Sequence, residues 1–221
     1  MRNLLMKIFK KGASWCLAGA LFIGMAQGVS AQRVENLDDL SFIEMLNTPE
    51  AGSFSNTISA FQKKEGQSVL LKNNKYSKKY GVNVELTRNK EVLLVTIPAA
   101  LLFDPNETVL SDKASQFLEP IKRYLKKPDM YRVLLAMHTD NTGSEEYREQ
   151  LTEDRVDAVF EYFDKANNVD TRYLFSYALG DDLPINENNS VENREKNRRL
   201  EIYLVPGEKM LEQAKKGRIE F

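Results

Sequence analysis

The stretch Arg132-Val133-Leu134-Leu135-Ala136-Met137-His138-Thr139-Asp140-Asn141-Thr142-Gly143-Ser144 decides the fold. Arg132 to Met137 is a short apolar run bounded by polar residues, which reads as a buried strand. Ser144 is placed to cap a helix that runs to about Ala166, with a buried stripe of Tyr147, Leu151, Val159, Phe160 and Phe163. A strand, a polar loop and a long helix therefore follow one another without a break.

The same alternation extends in both directions. Upstream, Val82, Val84 and Leu86 alternate with polar residues, Arg88-Asn89-Lys90 can turn, and Val92 to Ile97 runs apolar until Pro98 closes it. That pattern predicts a β-hairpin or two paired strands. Ser111 can cap a helix whose face holds Ala114, Phe117, Leu118, Ile121 and Leu125. Pro120 lies inside that helix, where its ring removes a backbone bond, so a kink or a late start is expected. Downstream, Leu174 to Leu179 reads as a strand and the polar residues from Asn186 to Asn193 as a loop. Arg199 to Val205 reads as a last strand, with Leu200, Ile202 and Leu204 facing one way. The fold class is α+β, a two-layer mixed β-sheet with two main helices on one face.

The chain's two ends are less regular. Arg2, Lys7, Lys10 and Lys11 precede an apolar run from Ala13 to Ala26, and Val29-Ser30-Ala31 then offers small residues for cleavage. Basic, then apolar, then small is the order of a secretory signal, with the cut expected after Ala31. The apolar run is shorter than the roughly 20 residues that span hydrocarbon, which disfavours an uncleaved anchor. Cys16, the only cysteine, stands too early in that run to carry a lipid. Removing residues 1–31 takes the formal charge from −1 to −5 and leaves no cysteine, so neither disulfide nor thiol chemistry is expected. Near-neutral charge gives no reason to expect nucleic acid as a partner. Residues 32–79 read as an extension with short helices, one carrying Leu37, Leu40, Ile43 and Leu46 and one carrying Phe54, Ile58 and Phe61. Lys72, Lys75, Lys78 and Lys79 then form a basic cluster, read as a solvated linker or as a surface for anionic lipid or polymer. Residues 207–221 read as a tail.

Three places look unlike scaffold: Phe103-Asp104-Pro105-Asn106, His138 to Gly143, and Arg155 on the long helix. Loops at strand ends, held on a rigid frame, are common binding sites, although turns also favour Asp, Asn and Gly for backbone reasons. His138 is the only histidine, so triad or zinc chemistry lacks companions, and a histidine bonded to the sheet backbone is the expectation. No cofactor, metal or catalytic residue is expected, and no enzyme activity.

The run His138-Thr139-Asp140-Asn141-Thr142-Gly143, then Tyr147 and Leu151-Thr152-Glu153-Asp154-Arg155, resembles the core motif of the OmpA-like C-terminal domain family, the OmpA/Pal/MotB type. Arg194-Glu195-Lys196-Asn197-Arg198-Arg199-Leu200-Glu201-Ile202 is similar to that family's closing signature, and Leu102-Phe103-Asp104 followed by Leu110 to its opening one. The resemblance covers residues 80–206 and implies a βαβαβ-type domain that grips the diaminopimelate of the peptidoglycan stem peptide. It implies Asp140 for the ligand's ammonium and Arg155 for its carboxylate. Asp104, Thr139 and Asn141 follow as second-rank candidates, with Arg198 weaker and Asn197 bracing a loop. Such a site has chemical sense, because a carboxylate accepts from an ammonium while a planar guanidinium clasps a carboxylate with two parallel bonds.

Two departures stand out. Met137 replaces a glycine before the His-Thr-Asp run, and Arg148 replaces a frequent asparagine. Arg148 lies two helical turns from Arg155 and is expected either to add a second cation for ligand carboxylates or to repel the ammonium. The resemblance thus implies an exported, non-enzymatic envelope protein that ties itself or a partner to the wall. Its expected location is the periplasm, with association to the outer membrane through another envelope protein and homodimer formation left open. The alternative is an OmpA-like scaffold with a degenerate pocket that serves as a protein–protein interaction module.

Overall fold

Two strands that are buried along their whole length set the frame: Tyr131–His138 (β3) and Arg199–Pro206 (β5). They pair antiparallel from Tyr131↔Pro206 to His138↔Arg199, so the two signature segments of the sequence end side by side. The hairpin strands Asn83–Thr87 (β1) and Val92–Pro98 (β2) and the strand Leu174–Ala178 (β4) complete a sheet of order β1-β2-β5-β3-β4. Only the β3–β4 pair is parallel. Parallel neighbours need a crossover, and the helix Glu145–Asp164 (α6) supplies it. This computed structural model describes residues 41–47, 51–65 and 77–221, all within the unit Asn36–Phe221 of the two into which the chain divides. The expected signal at 1–31, the first part of the extension, and Lys72 and Lys75 of the lysine cluster lie outside the described residues.

Alternation along the strands sorts side chains to two faces. Leu93, Val95, Ile97, Val133, Leu135, Met137, Leu200, Ile202 and Leu204 face the helices Ala114–Leu118 (α4), Lys122–Leu125 (α5) and α6, and pack on Phe117, Leu118, Ile121, Val156, Val159 and Phe163. The two main helices are therefore on one face, as expected. The opposite face is apolar too, with Val92, Leu94, Leu134, Ala136, Phe175, Tyr203 and Val205. This explains why Val133 to Met137 is a continuous apolar run rather than an alternating one. The short helix Phe42–Asn47 (α1) covers that second face. Phe42 sits edge-on to Tyr177 (5.3 Å) and Tyr203 (5.5 Å), and Met45 is fully buried. Arg88 Nη1 donates to the Leu46 carbonyl (2.7 Å), which ties α1 to the hairpin turn, where Arg88, Asn89 and Lys90 all have positive φ.

Where described, both chain extensions are parts of this core. Helix Ser55–Glu65 (α2) buries Ile58, and its Gln62 Nε2 donates to the carbonyls of Glu91 (2.8 Å) and Leu204 (3.3 Å) while Gln62 Oε1 accepts from the Tyr131 hydroxyl (2.9 Å). Helix Glu208–Lys215 (α8) buries Met210 and Ala214. Gly207 leads into α8 with its N–H on the Met130 carbonyl (2.8 Å), and a Cβ there would stand 2.3 Å from the Asp129 carbonyl oxygen. Gly207→Ala is therefore expected to lower stability by about 1–3 kcal/mol through overpacking against backbone. A lower urea midpoint at unchanged slope would show it.

Pro120 interrupts the first main helix with a 3-10 turn, Glu119–Ile121, so it splits into α4 and α5, as the missing N–H leads one to expect. Three local expectations need correction. Ser111 does not cap that helix, which starts at Ala114; its N–H bonds the Leu102 carbonyl (2.8 Å) beside the Phe103↔Leu110 bridge. Tyr147 is 44% exposed rather than part of the buried stripe. The loop expected at 186–193 ends in a helix, Val191–Asn197 (α7), which Ser190 caps through the Asn193 N–H.

Candidate functional site

Asp140 stands two residues beyond β3, and its loop is folded by its own backbone. The Thr139 N–H donates to the Gly180 carbonyl (2.8 Å), and the Thr142 N–H donates to Asp140 Oδ1 (2.8 Å), an Asx-type turn. Gly143 closes the turn with φ +91°, where a Cβ would meet the Tyr147 ring at 2.8 Å. Ser144 then caps α6 by accepting from the Tyr147 N–H (3.2 Å), as its position predicts. The loop is thereby fixed by glycine, Asx turn and cap before any ligand enters.

Farther along α6, Arg155 is buried and reaches the 103–107 loop. Its Nε donates to the Glu107 carbonyl (2.9 Å), its Nη2 to the Asp104 carbonyl (3.4 Å), and its guanidinium lies 4.9 Å from the Phe103 ring centroid. Tyr147 pins the same loop, its hydroxyl donating to Asn106 Oδ1 (3.3 Å), with Asn106 in the left-handed region. A third contribution comes from the α7–β5 junction, where the Arg198 guanidinium makes an ion pair with Asp140 Oδ2. The expected loops, helix and closing signature meet at one corner of the sheet.

Burial opposes the charge on Asp140, but hydrogen bonds from Thr142 and Arg198 outweigh it and hold the carboxyl below its ordinary value. Burial also lowers Arg155, the Tyr147 hydroxyl opposes that, and the charge of Arg198 lowers it further. Arg155 remains a cation at any relevant pH. Asp104 enters through its carbonyl while its residue is exposed; Thr139 is buried and Asn141 is exposed.

Residues 102–198 match the sequence model of the OmpA family. That stretch is an OmpA-like domain. Among its relatives, the outer-membrane lipoprotein YfiB of Pseudomonas aeruginosa is 34% identical over 112 residues, covering 49% of this chain and 63% of that protein. The peptidoglycan-associated lipoprotein of Legionella pneumophila is 32% identical over 101 residues, covering 46% and 57%. The chain thus spans less than two thirds of each of these relatives. A MotB-like protein from Desulfovibrio vulgaris has the same fold, with a TM-score of 0.58 at 22% identity over 69% of this chain and 95% of that one.

Within this OmpA-like domain, Arg148 has partners of its own. Its Nε donates to Asp181 Oδ1 (2.6 Å) and its Nη1 to the Gly143 carbonyl (2.6 Å), so it straps the loop after β4 to the Asp140 loop. Thr152 assists, accepting from the Gly180 N–H (3.2 Å). Asn197 braces residues 185–188, accepting from the N–H groups of Ile185 and Asn186 (both 3.0 Å) and donating to the Asn186 carbonyl and Asn188 Oδ1 (both 2.8 Å).

His138 differs from its expectation. Its Nε2 faces Glu201 Oε2 (3.2 Å) rather than backbone, in a buried network that sequence reading missed. Glu201 also accepts from Arg199 Nε (2.7 Å) and the Tyr203 hydroxyl (2.6 Å), and Arg199 donates to the Asn197 and Leu183 carbonyls (both 3.0 Å). The register explains the cluster. Arg199, Glu201 and Tyr203 alternate onto the face opposite Leu200 and Ile202, and Arg199 lies across from His138. A charged residue at every second position of a strand was the available signal.

The network has a pH consequence. Burial works against the Glu201 carboxylate, yet bonds and charge from His138, Arg199 and Tyr203 outweigh it and bring it to about 2, from 4.5. Its stabilising contribution is complete above about 4.5 and is lost as pH falls towards about 2. Burial lowers His138 below 6.5, partly offset by Glu201, so the unfolded chain takes up that proton first. Stability is therefore expected to fall on acidification in two windows, the first opening below about 6.5. Urea midpoints measured from neutral pH to about pH 3 would reveal both, and a flat profile would contradict the network's role.

Proposed function

We propose that this protein is a non-enzymatic envelope module that holds peptidoglycan by the diaminopimelate residue of the stem peptide, anchoring itself or a partner to the wall. The observation that carries this reading is a buried carboxylate, Asp140, paired with the Arg198 guanidinium on a preformed loop, while Arg155, on the helix that follows that loop, reaches the neighbouring 103–107 loop. Diaminopimelate carries an ammonium and a carboxylate on one carbon at its side-chain end, a charge pair that matches this set. The Legionella relative's name, peptidoglycan-associated lipoprotein, supports the polymer, and that of the Pseudomonas relative supports the outer membrane.

The order of basic, apolar and small residues in 1–31 supports export to the periplasm. Among the described residues no helix is long and apolar enough to cross a membrane. One site of this kind is weak, on the order of −5 to −8 kcal/mol, and rebinding along a polymer, or pairing of two copies, would strengthen retention. The test is co-sedimentation with insoluble sacculi of the diaminopimelate type, with and without a soluble stem peptide as competitor. Retention that the peptide abolishes is the expected result, and a protein left in the supernatant sinks the reading. Release of soluble wall fragments by the purified protein would overturn its non-enzymatic part.

A second reading, an interaction module for another envelope protein, draws on Leu183, Ile185 and Val191, which are exposed around the braced loop. It gains if sacculi fail to retain the protein while a protein partner does.

A further inference from the structure

Arg155, Arg198 and Arg199 are held very differently. Arg199 is buried, with its guanidinium engaged by Glu201 and two carbonyls. Arg155 is buried, engaged by two carbonyls and the Phe103 ring. The Arg198 side chain is 36% exposed and bonds to Asp140, whose own side chain is 4% exposed. Its backbone is fixed separately, the N–H on the Arg194 carbonyl (3.1 Å) and the carbonyl on the Ala99 N–H (2.9 Å). The side chain can therefore swing without disturbing the α7–β5 junction. Asp140 can lose it without losing aim, because the Thr142 N–H still holds Oδ1.

We propose that Arg198 is an electrostatic latch on the Asp140 site: it neutralises Asp140 at rest, and only a ligand carboxylate that draws it away frees Asp140 for the ligand's ammonium. The inference rests on the wall-binding reading and adds a rule of selection to it. With the latch closed, Asp140 is already paired while Arg155 has carbonyl and ring partners but no carboxylate, so the site offers excess positive charge. The 99–104 segment links the two cations, since the Ala99 N–H bonds the Arg198 carbonyl, the Phe103 N–H bonds the Ala99 carbonyl, and Arg155 holds the Asp104 carbonyl and the Phe103 ring, so a ligand carboxylate entering there draws on both. An ammonium arriving without a carboxylate meets a neutralised acid and two unfavourable charges. The site accordingly selects the amino-acid end of diaminopimelate over the bare ammonium end of lysine.

The test compares two stem peptides that differ only in meso-diaminopimelate or lysine at the third position, titrated by calorimetry into the full chain and into Arg198→Met. Methionine keeps the stem's bulk and removes the charge, and Arg198→Gln serves as a second variant should the first fold poorly. Wild type is expected to prefer diaminopimelate by about 30-fold or more, a difference of about 2 kcal/mol. In Arg198→Met the lysine peptide is expected to gain about tenfold while the diaminopimelate peptide weakens, so that selectivity collapses. A lysine peptide that binds the folded variant no better than wild type overturns the latch alone. Wild type that binds neither peptide overturns the wall-binding reading and the latch with it.

Discussion

Asp140→Ala is expected to weaken binding of a diaminopimelate stem peptide by about 2–5 kcal/mol, roughly 30-fold to several thousand-fold, and to release the protein from sacculi. The size follows from burial. Asp140 is enclosed and paired with Arg198, so a ligand ammonium docked there is withdrawn from water and depends on that carboxylate. Without it the ammonium is buried unpaired among cations, which costs more than an ordinary hydrogen bond returns. Asp140→Asn separates charge from shape, since an amide oxygen can still accept from the Thr142 N–H and keep the turn. Both variants should therefore fail in calorimetric titration, while Asp140→Asn keeps the turn and loses only the stability that the Arg198 ion pair contributes. Binding by Asp140→Asn within about twofold of wild type would remove the ion pair from the mechanism.

Arg155→Ala has a different signature, because the native side chain also supports the 103–107 loop through the Glu107 and Asp104 carbonyls. Loss of binding in that variant should come with a measurable loss of stability, as two carbonyl partners and the Phe103 contact disappear together.

What the sequence disclosed, and what it did not, divides by range. The strands around Val133 and Ile202, the Ser144 cap and the Asp140 turn are local patterns, readable from period and turn chemistry. The hairpin turn at Arg88 is local as well, and its positive φ angles are held by the distant Leu46 carbonyl. Tertiary pairings left weaker traces. Arg148 carried no mark of Asp181, 33 residues away, so its cation seemed available to a ligand. Ser111 has the chemistry of a cap but was recruited by the Leu102 carbonyl instead. The spacing of Leu37, Leu40, Ile43 and Leu46 points to a helix here, yet α1 buries Phe42 and Met45 on the second sheet face and leaves Ile43 exposed. The resemblance to the OmpA family supplied Asp140 and Arg155, which composition alone could not have distinguished from ordinary turn and helix residues.

Glu201→Gln is expected to destabilise the domain by about 3–5 kcal/mol without touching the proposed ligand site. Glu201 is the single carboxylate of a buried set that holds Arg199, His138 and the Tyr203 hydroxyl. Neutralising it leaves the Arg199 guanidinium buried with carbonyl partners only, from Asn197 and Leu183. For a unit of this size the loss should lower the melting temperature by roughly 6–20 °C, at about 2–4 °C per kcal/mol. The effect should propagate outward on both sides. Tyr203 packs on Phe42, so α1 should loosen, and Leu183 leads into the loop that Asn197 braces. Amide exchange should accordingly speed up at residues 42–47 and 183–186 before the helix face of the sheet is affected. Replacing Glu201 and Arg199 together by Leu and Met removes the orphaned charge as well as the carboxylate, and should recover most of the lost stability. If the double variant is no more stable than Glu201→Gln, packing around Tyr203 rather than buried charge governs this face of the sheet.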